Sequence, residues 1–217
     1  ASRPPLALGI GLSHQMVVEG MWGLPFDKPV RRMREYLEAL VPLLAGENPQ
    51  YGGETVTARG GLDFRAEAPP VLVAALGPQM LKVAGRLADG TATWMTGAKT
   101  VADLTAPTIR AAAEAAGRPE PQVLVALPVC VTADEADARE RAAAEFAVYG
   151  MLPSYRAMLD REGMAGPEDL AMIGSADAVA ARIAEVEAAG ATTFVAAEFG
   201  TPEEQAATRA LLRSLIG

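Results

Sequence analysis

Val71–Gly97 reads VLVAALGPQMLKVAGRLADGTATWMTG, and the order of its parts decides the fold. An apolar strand over Val71–Leu76 runs into the turn Gly77-Pro78, then an amphipathic helix over Gln79–Ala88, then Asp89-Gly90 and a second strand over Thr91–Met95. Two strands joined through a helix form the unit of a parallel α/β sheet, because a parallel return needs a crossover. The turn falls at the carboxyl end of the first strand, where such folds hold their ligands. Gly77 has no Cβ, so backbone can come close to a bound group. Pro78 suits the first helical position, where its missing N–H is no loss. The N–H groups of Gln79 and Met80 then point out of the positive end of the helix, an arrangement suited to an anion or phosphate. The same residues also serve as a plain tight turn.

Outward from this unit the strand–helix alternation continues. Upstream, Leu6–Gly11 is a short strand, Leu12–Val30 a loop, and Arg31–Leu44 a helix with Met33, Leu37, Leu40, Val41 and Leu44 on one face and Arg31, Arg34, Glu35 and Glu38 largely off it. Gly46–Pro70 is polar and glycine-rich, with a hairpin near Tyr51–Thr57. Downstream, Val101–Ala116 is a helix stopped by Gly117, and Gln122–Thr132 a strand in which Pro128 predicts a bulge or an edge. Residues 133–167 break the rhythm as a helical insertion: Asp134–Val148 and Pro153–Glu162 are helices, with Thr132 or Asp134 as cap, and Gly163–Pro167 is a loop. Ser175 caps a helix over Ala176–Ala189, Gly190 ends it, Thr192–Phe199 is the last strand, and Thr201 caps Pro202–Leu215. The pattern predicts five strand–helix units in a single α/β domain over residues 1–217. A closed (β/α)8 barrel needs eight. The units therefore form either an open sheet, which the count alone favours, or the later part of a barrel.

Composition bounds the function. With 217 residues, 50% hydrophobic and 21% charged, the chain can bury a substantial core. A net charge of −8 and a pI of about 4.8 argue against nucleic acid or an anionic membrane as a main partner and leave a small-molecule ligand at a locally positive site. Cys130 is the single cysteine, so no internal disulfide forms and a cytoplasmic location is expected; it sits in the apolar run LVALPVCVT as a buried structural thiol. No apolar run reaches membrane-spanning length, no leader pattern opens the sequence, and no metal site is expected. His14, the one histidine, lies in the loop after the first strand beside Ser13. Glu19, Asp27 and Glu198 are acids near strand ends, Glu198 the best placed of them; Lys99 is a cation that can meet an anionic group; Trp94 and Met95 read as core.

The segments GIGLSH (Gly9–His14), EGMWGLPFDKPVRRMREYLEAL (Glu19–Leu40), ALGPQMLKVAGRLADG (Ala75–Gly90) and AAGATTFVAAEFG (Ala188–Gly200) resemble the luciferase-like monooxygenase superfamily, and within it the coenzyme F420 (deazaflavin) dependent oxidoreductases. The resemblance implies a (β/α)8 TIM-barrel fold of which this chain carries the part from the fourth strand onward, with the helices after the strand at 122–132 as the family's insertion. It implies that Ala75, Leu76, Gly77, Pro78, Gln79 and Met80 contact the phosphate and ribityl chain of the cofactor. Gly11, Ser13 and His14 stand beside it, and Thr96 closes the next strand at that face. The implied cofactor is F420, with FMN as the alternative because both share the phosphoribityl stem. The implied reaction is hydride transfer between F420 and a small organic substrate. Leu12 stands where the family's sugar-phosphate dehydrogenases carry an acid, so that substrate class is not expected. The alternatives are an FMN-dependent monooxygenase and a catalytically silent binding or assembly subunit. The resemblance also implies a homodimer or a partner segment that completes the barrel. No residue is marked as catalytic acid or base.

Overall fold

The computed structural model describes residues 6–63 and 67–216, so residues 64–66 of the expected Gly46–Pro70 loop lie outside the described residues. In chain order the elements are β1 (Leu8–Ile10), α1 (Gln15–Gly20), α2 (Pro29–Leu44), β2 (Gln50–Gly52), β3 (Thr57–Arg59), β4 (Val71–Ala74), α3 (Pro78–Leu87), β5 (Gly90–Trp94), α4 (Ala98–Thr100), a π-helical stretch Val101–Thr105, α5 (Ala106–Ala115) and β6 (Gln122–Val131). There follow α6 (Glu135–Glu145), α7 (Ala147–Met151), α8 (Pro153–Glu162), α9 (Pro167–Leu170), β7 (Met172–Gly174), α10 (Ala176–Ala188), β8 (Thr193–Glu198) and α11 (Pro202–Ile216). The chain forms two compact units. One runs to Ala92 and takes in Thr108–Pro121; the other holds Thr93–Pro107 and Gln122 onward.

In the first unit β1 pairs parallel with β4 (Leu8↔Val71 to Ile10↔Val73), and β4 pairs parallel with β5 (Leu72↔Gly90 to Ala74↔Ala92). Val71, Leu72 and Val73 are all buried, the continuous apolar run expected of a parallel strand covered on both faces. The Ala-Asp-Gly at 88–90 has a structural reason. Asp89 accepts the Val71 N–H at 2.8 Å and the Arg118 guanidinium at 3.1 Å, which satisfies the first donor of β4. Leu81, Val83 and Ala84 of α3 and Ile109, Ala112 and Ala113 of α5 are buried. The two helices meet at Gly85, where an added Cβ would lie 2.5 Å from the Ile109 carbonyl oxygen.

Two expectations change in this unit. Residues 12–30 are not all loop, because α1 forms over Gln15–Gly20 and buries Val18. Glu35, expected off the apolar face of α2, is only 3% exposed. The antiparallel hairpin β2–β3 (Gln50↔Arg59, Gly52↔Thr57) lies over it. A single Glu35 oxygen accepts the Thr55 N–H (2.6 Å), the Thr55 hydroxyl (2.7 Å) and the Val56 N–H (3.2 Å), while Tyr51 donates to Glu38 at 2.5 Å. The Thr55 N–H and then its hydroxyl hold the Glu35 carboxyl below the usual carboxylate range. A depressed pKa adds stability that is present above the unfolded-state value and lost as pH falls through the folded-state value. Glu35→Ala is therefore expected to lower Tm by on the order of 5 °C at pH 7. The gap from the parent should close below about pH 4, as thermal melts across pH would show.

In the second unit β6 is the central strand. It pairs parallel with β8 without interruption from Leu124↔Thr193 to Val129↔Glu198, and with β7 from Val129↔Met172 to Val131↔Gly174. This corrects the expectation at Pro128, which is neither at a bulge nor on an edge. Ala126 accepts the Met95 N–H at 3.3 Å and Thr132 donates to Gly174 at 2.9 Å, so even-numbered residues of β6 face Met95 and then β7. Pro128 falls between those two bonds, where no partner needs its N–H. β7 was not expected; Met172-Ile173-Gly174 is wholly buried but too short to carry a pattern. The helix expected over Asp134–Val148 breaks at Phe146 (φ −100°, ψ 8°), and Asp134, not Thr132, caps α6 by accepting the Asp137 N–H. The helix expected at Val101 starts at Ala98 and passes through the π-helical stretch. Gly163, at φ +74°, ends α8, and α9 forms from Pro167, the last residue of the expected loop Gly163–Pro167. Cys130 is fully buried, and burial pushes its thiol up to about 11, as a structural cysteine.

Candidate functional site

The candidate site is built from the exits of β1 and β4. Because the two strands are parallel neighbours, Gly11–His14 and Ala75–Gly77 leave the sheet at the same end. They leave it closely: a Cβ on Gly11 would lie 3.0 Å from the Ala74 Cβ. Ala74, the last residue of β4, is exposed, and Ala75 turns its methyl into the core, so Ala75 offers mainly backbone, while Leu76 is half-buried. Ser13 is held at φ +61°, a left-handed conformation that costs a non-glycine residue about 1–2 kcal/mol. Such strain collects where a strand exit has a task other than packing. His14 opens α1, its carbonyl accepting the N–H groups of Val17 and Val18 at 2.9 Å each.

The first turn of α3 has no capping side chain of its own. Gly77 is its N-cap and gives no side-chain bond, Pro78 occupies the first position without an N–H, and the turn holds no acid. The Leu81 N–H is taken by the Gly77 carbonyl at 3.0 Å. Among the described residues, that leaves the N–H groups of Gln79 and Met80 with no side-chain acceptor. α1 after β1 likewise has no side-chain cap, whereas after β5 to β8 protein side chains serve the first helical turns. Glu162 accepts the Thr100 N–H (2.6 Å) after β5, Asp134 the Asp137 N–H (3.2 Å) after β6, and Ser175 the Ala178 N–H (3.3 Å) after β7. After β8, Thr201 accepts the Glu204 N–H (3.3 Å) while Glu204 accepts the Thr201 N–H (2.8 Å), a reciprocal capping box. A Cβ built on Gly77 meets nothing within 4 Å, so the space in front of these donors is open to a ligand. The arrangement fits an anionic group held by backbone N–H and a helix dipole.

The remaining candidates are occupied within the protein. Thr96 is buried and its hydroxyl donates to the Trp94 carbonyl at 3.3 Å. Glu198, the acid singled out at the last strand end, is ion-paired with Arg209 at 2.7 Å, and Lys99 is paired with Asp103. Glu19 accepts from Gln15 and from the Phe26 N–H. Glu204 is held down to about 2 by the bidentate Arg141 beside it. In the second unit the exit of β5 carries a feature no residue pattern announces: Met95, fully buried, adopts φ +51°. Trp94 beside it stacks edge-on with Phe146 (6.1 Å between centroids) and Tyr149 (5.6 Å), and Tyr149 with Tyr155 (5.0 Å). Burial pushes the Tyr155 hydroxyl up to about 12. Among the described residues no helix is long and apolar enough to cross a membrane.

Comparison with known proteins agrees with the architecture. The sequence matches the family described as luciferase-like monooxygenase over residues 2–193. A 5,10-methylenetetrahydromethanopterin reductase of Methanolobus tindarius is 30% identical over 171 residues, 78% of this chain and 52% of that protein. An F420-dependent secondary alcohol dehydrogenase solved with an F420–acetone adduct superposes with a TM-score of 0.78 at 17% identity, over 96% of this chain and 69% of that one. The coenzyme F420 dependent tetrahydromethanopterin reductase of Methanopyrus kandleri superposes with a TM-score of 0.74 at 23% identity, over 93% and 70%. The chain thus spans about half the length of this curated reductase, and among the described residues it carries six strand–helix units of the TIM-barrel type, β7 with α10 being the one the sequence pattern does not announce. The expected likeness to the F420-dependent branch is met by relatives that bear that name. On the match over residues 2–193 and the shared fold, the chain belongs to the luciferase-like monooxygenase family.

Proposed function

We propose that this chain carries the phosphate-binding part of a deazaflavin-dependent oxidoreductase, which moves a hydride between coenzyme F420 and a small organic substrate. The observation that carries the reading is the first turn of α3, with two N–H groups that lack a side-chain acceptor in front of a glycine whose outer side is empty. Gln79 and Met80 donate to the cofactor phosphate, Gly77 and Pro78 let the stem lie against the turn, and Gly11, Ser13 and His14 line the neighbouring exit. When bound, the cofactor supplies hydride chemistry at its own ring, and the protein's task is to bind and orient it. The F420-dependent relatives favour this cofactor. The family description favours a second reading, an FMN-dependent monooxygenase, since the same turn suits the phosphate of either. The half-length match favours a third, a binding or assembly subunit without activity of its own.

Parallel titration of the protein with F420 and with FMN, followed by cofactor fluorescence and absorbance, tests all three. Saturable binding of F420 with weak or no binding of FMN supports the first reading. The reverse moves the protein to the second. Binding of neither removes the cofactor from this chain and leaves the third. The helices between β6 and β7 we assign to the family's insertion, within a single partial-barrel domain.

A further inference from the structure

We propose that the aromatic cluster around Trp94 recognises a flat, uncharged organic molecule bearing a hydrogen-bond acceptor, with the Trp94 indole N–H as the donor and Glu162 as the group that turns anions away. That this molecule is the substrate rests on the oxidoreductase reading above; that the rings hold it does not. Every residue involved lies in the second unit. Five rings gather there. Trp94 meets Phe146 and Tyr149 edge-on, Tyr149 meets Tyr155, and Phe146 meets Phe199 with centroids 5.4 Å apart. Phe146 and Phe199 are buried, whereas Trp94, Tyr149 and Tyr155 are only half-buried, as the walls of a ligand site are and a sealed core is not. The Trp94 Nε1 is shut off from water and, among the described residues, has no hydrogen-bond partner. An indole N–H is a donor only, and a buried donor left unmade costs free energy. An acceptor on a ligand gains this bond without first displacing a water from it. Tyr149 is carried by α7, a five-residue helix that buries no side chain and lies between the break at Phe146 and Pro153. Little packing holds α7, so the Tyr149 ring can turn aside and admit a ligand.

The backbone just beyond Trp94 sets the charge of the occupant. The helical N–H that an anion would use there is already taken. Glu162, the last residue of α8, accepts the Thr100 N–H at 2.6 Å, and a Cβ built on Gly97 would lie 2.5 Å from its carboxyl carbon. Lys99, the cation of the same turn, is paired with Asp103. The helix that brings Tyr155 to the rings thus also brings a carboxylate to the exit of β5. A ligand with its own negative charge is repelled by that carboxylate, while a neutral acceptor is not. The unpaired donor asks for an acceptor, the rings for a flat apolar body, and Glu162 for the absence of negative charge.

The test is an NMR titration of the full chain in a Trp22→Phe background, where Trp94 gives the single indole N–H peak, with acetophenone, ethylbenzene and benzoate as probes. No cofactor is added, so failure here and failure of the F420 and FMN titration are separate results. Acetophenone is expected to move the indole peak downfield and to saturate. Ethylbenzene, the same ring without an acceptor, should bind about threefold to tenfold more weakly, the worth of one neutral hydrogen bond, with no downfield shift. Benzoate should bind more weakly than acetophenone and gain about threefold to tenfold in Glu162→Gln, where acetophenone binding is unchanged. Trp94→Phe keeps a ring and removes the donor, so acetophenone should fall to the level of ethylbenzene in ligand-observed NMR. Tyr149→Ala, on a helix that buries no side chain, keeps the fold and should weaken both neutral probes. An indole peak unmoved by acetophenone overturns the inference. So do equal affinities for acetophenone and ethylbenzene, a parent that prefers benzoate, benzoate binding unaltered by Glu162→Gln, or acetophenone binding undiminished in Trp94→Phe and Tyr149→Ala.

Discussion

Gly77→Val is expected to abolish measurable cofactor binding while leaving the fold and its Tm in place. Nothing in the protein requires glycine there. The backbone at Gly77 is extended (φ −89°, ψ 156°), a conformation any residue adopts, and an added Cβ meets no atom within 4 Å. What a branched side chain would enter is the space in front of the Gln79 and Met80 N–H groups. A hydrogen bond to a charged acceptor contributes about 1.5–3 kcal/mol, so displacing a phosphate from two of them weakens binding by at least about 100-fold. The measurement is a fluorescence titration of parent and variant with the cofactor that binds the parent, beside a thermal melt of each. A variant that binds like the parent removes the turn from the site. A variant whose Tm falls by more than about 3 °C would mean the glycine serves packing, a role the open space around it does not suggest.

The contrast between legible and illegible features follows from how local each determinant is. The strand, turn and helix from Val71 to Leu87 could be read because each piece carries its own signal: a buried apolar run, a Gly-Pro turn, an apolar stripe at helical spacing. The caps Ser175 and Thr201 were legible for the same reason, and Asp134 as one of two candidates beside Thr132, each acting on its own next turn. Glu35 was misplaced because its burial is decided by a hairpin that arrives twenty residues later and sets three donors on one oxygen. β7 escaped because three residues hold too little periodicity, and its identity rests on register with the end of β6. Pro128 misled because proline reports a missing donor, whereas its consequence depends on where the neighbouring strands stop. At the site, the turn at Gly77 and the position of His14 were foreseeable from the strand ends. That Thr96 and Glu198 are engaged by Trp94 and Arg209 was not, because both partners belong to the fold's geometry rather than to a motif. The left-handed backbones of Ser13 and Met95 had no residue signal either, since neither is a type that favours φ > 0.

A second glycine in the same motif should behave in the opposite way. Gly85→Ala is expected to leave the chemistry of the α3 N-terminus untouched and to damage the fold. An added Cβ would lie 2.5 Å from the Ile109 carbonyl oxygen, 2.8 Å from the Ala112 Cβ and 3.1 Å from the Ala113 nitrogen. Two of those three contacts are backbone of α5, so no rotamer change relieves them and the helices must move apart. Overpacking of this kind costs about 1–3 kcal/mol, partly offset by the gain of about 1 kcal/mol from alanine's better helix propensity. The net effect is a fall in Tm of several degrees, and Gly85→Val, which adds bulk without that gain, should fall further or fail to accumulate folded. Lys82→Ala on the exposed face of the same helix is the control, with a change inside about 0.5 kcal/mol. Because α3 carries the proposed phosphate donors at one end and Gly85 at the other, the folded fraction of Gly85→Ala should still bind cofactor with parental affinity. If its affinity falls as steeply as that of Gly77→Val while the melt is unchanged, the close helix approach is not what Gly85 provides, and the division of labour between the two glycines is wrong.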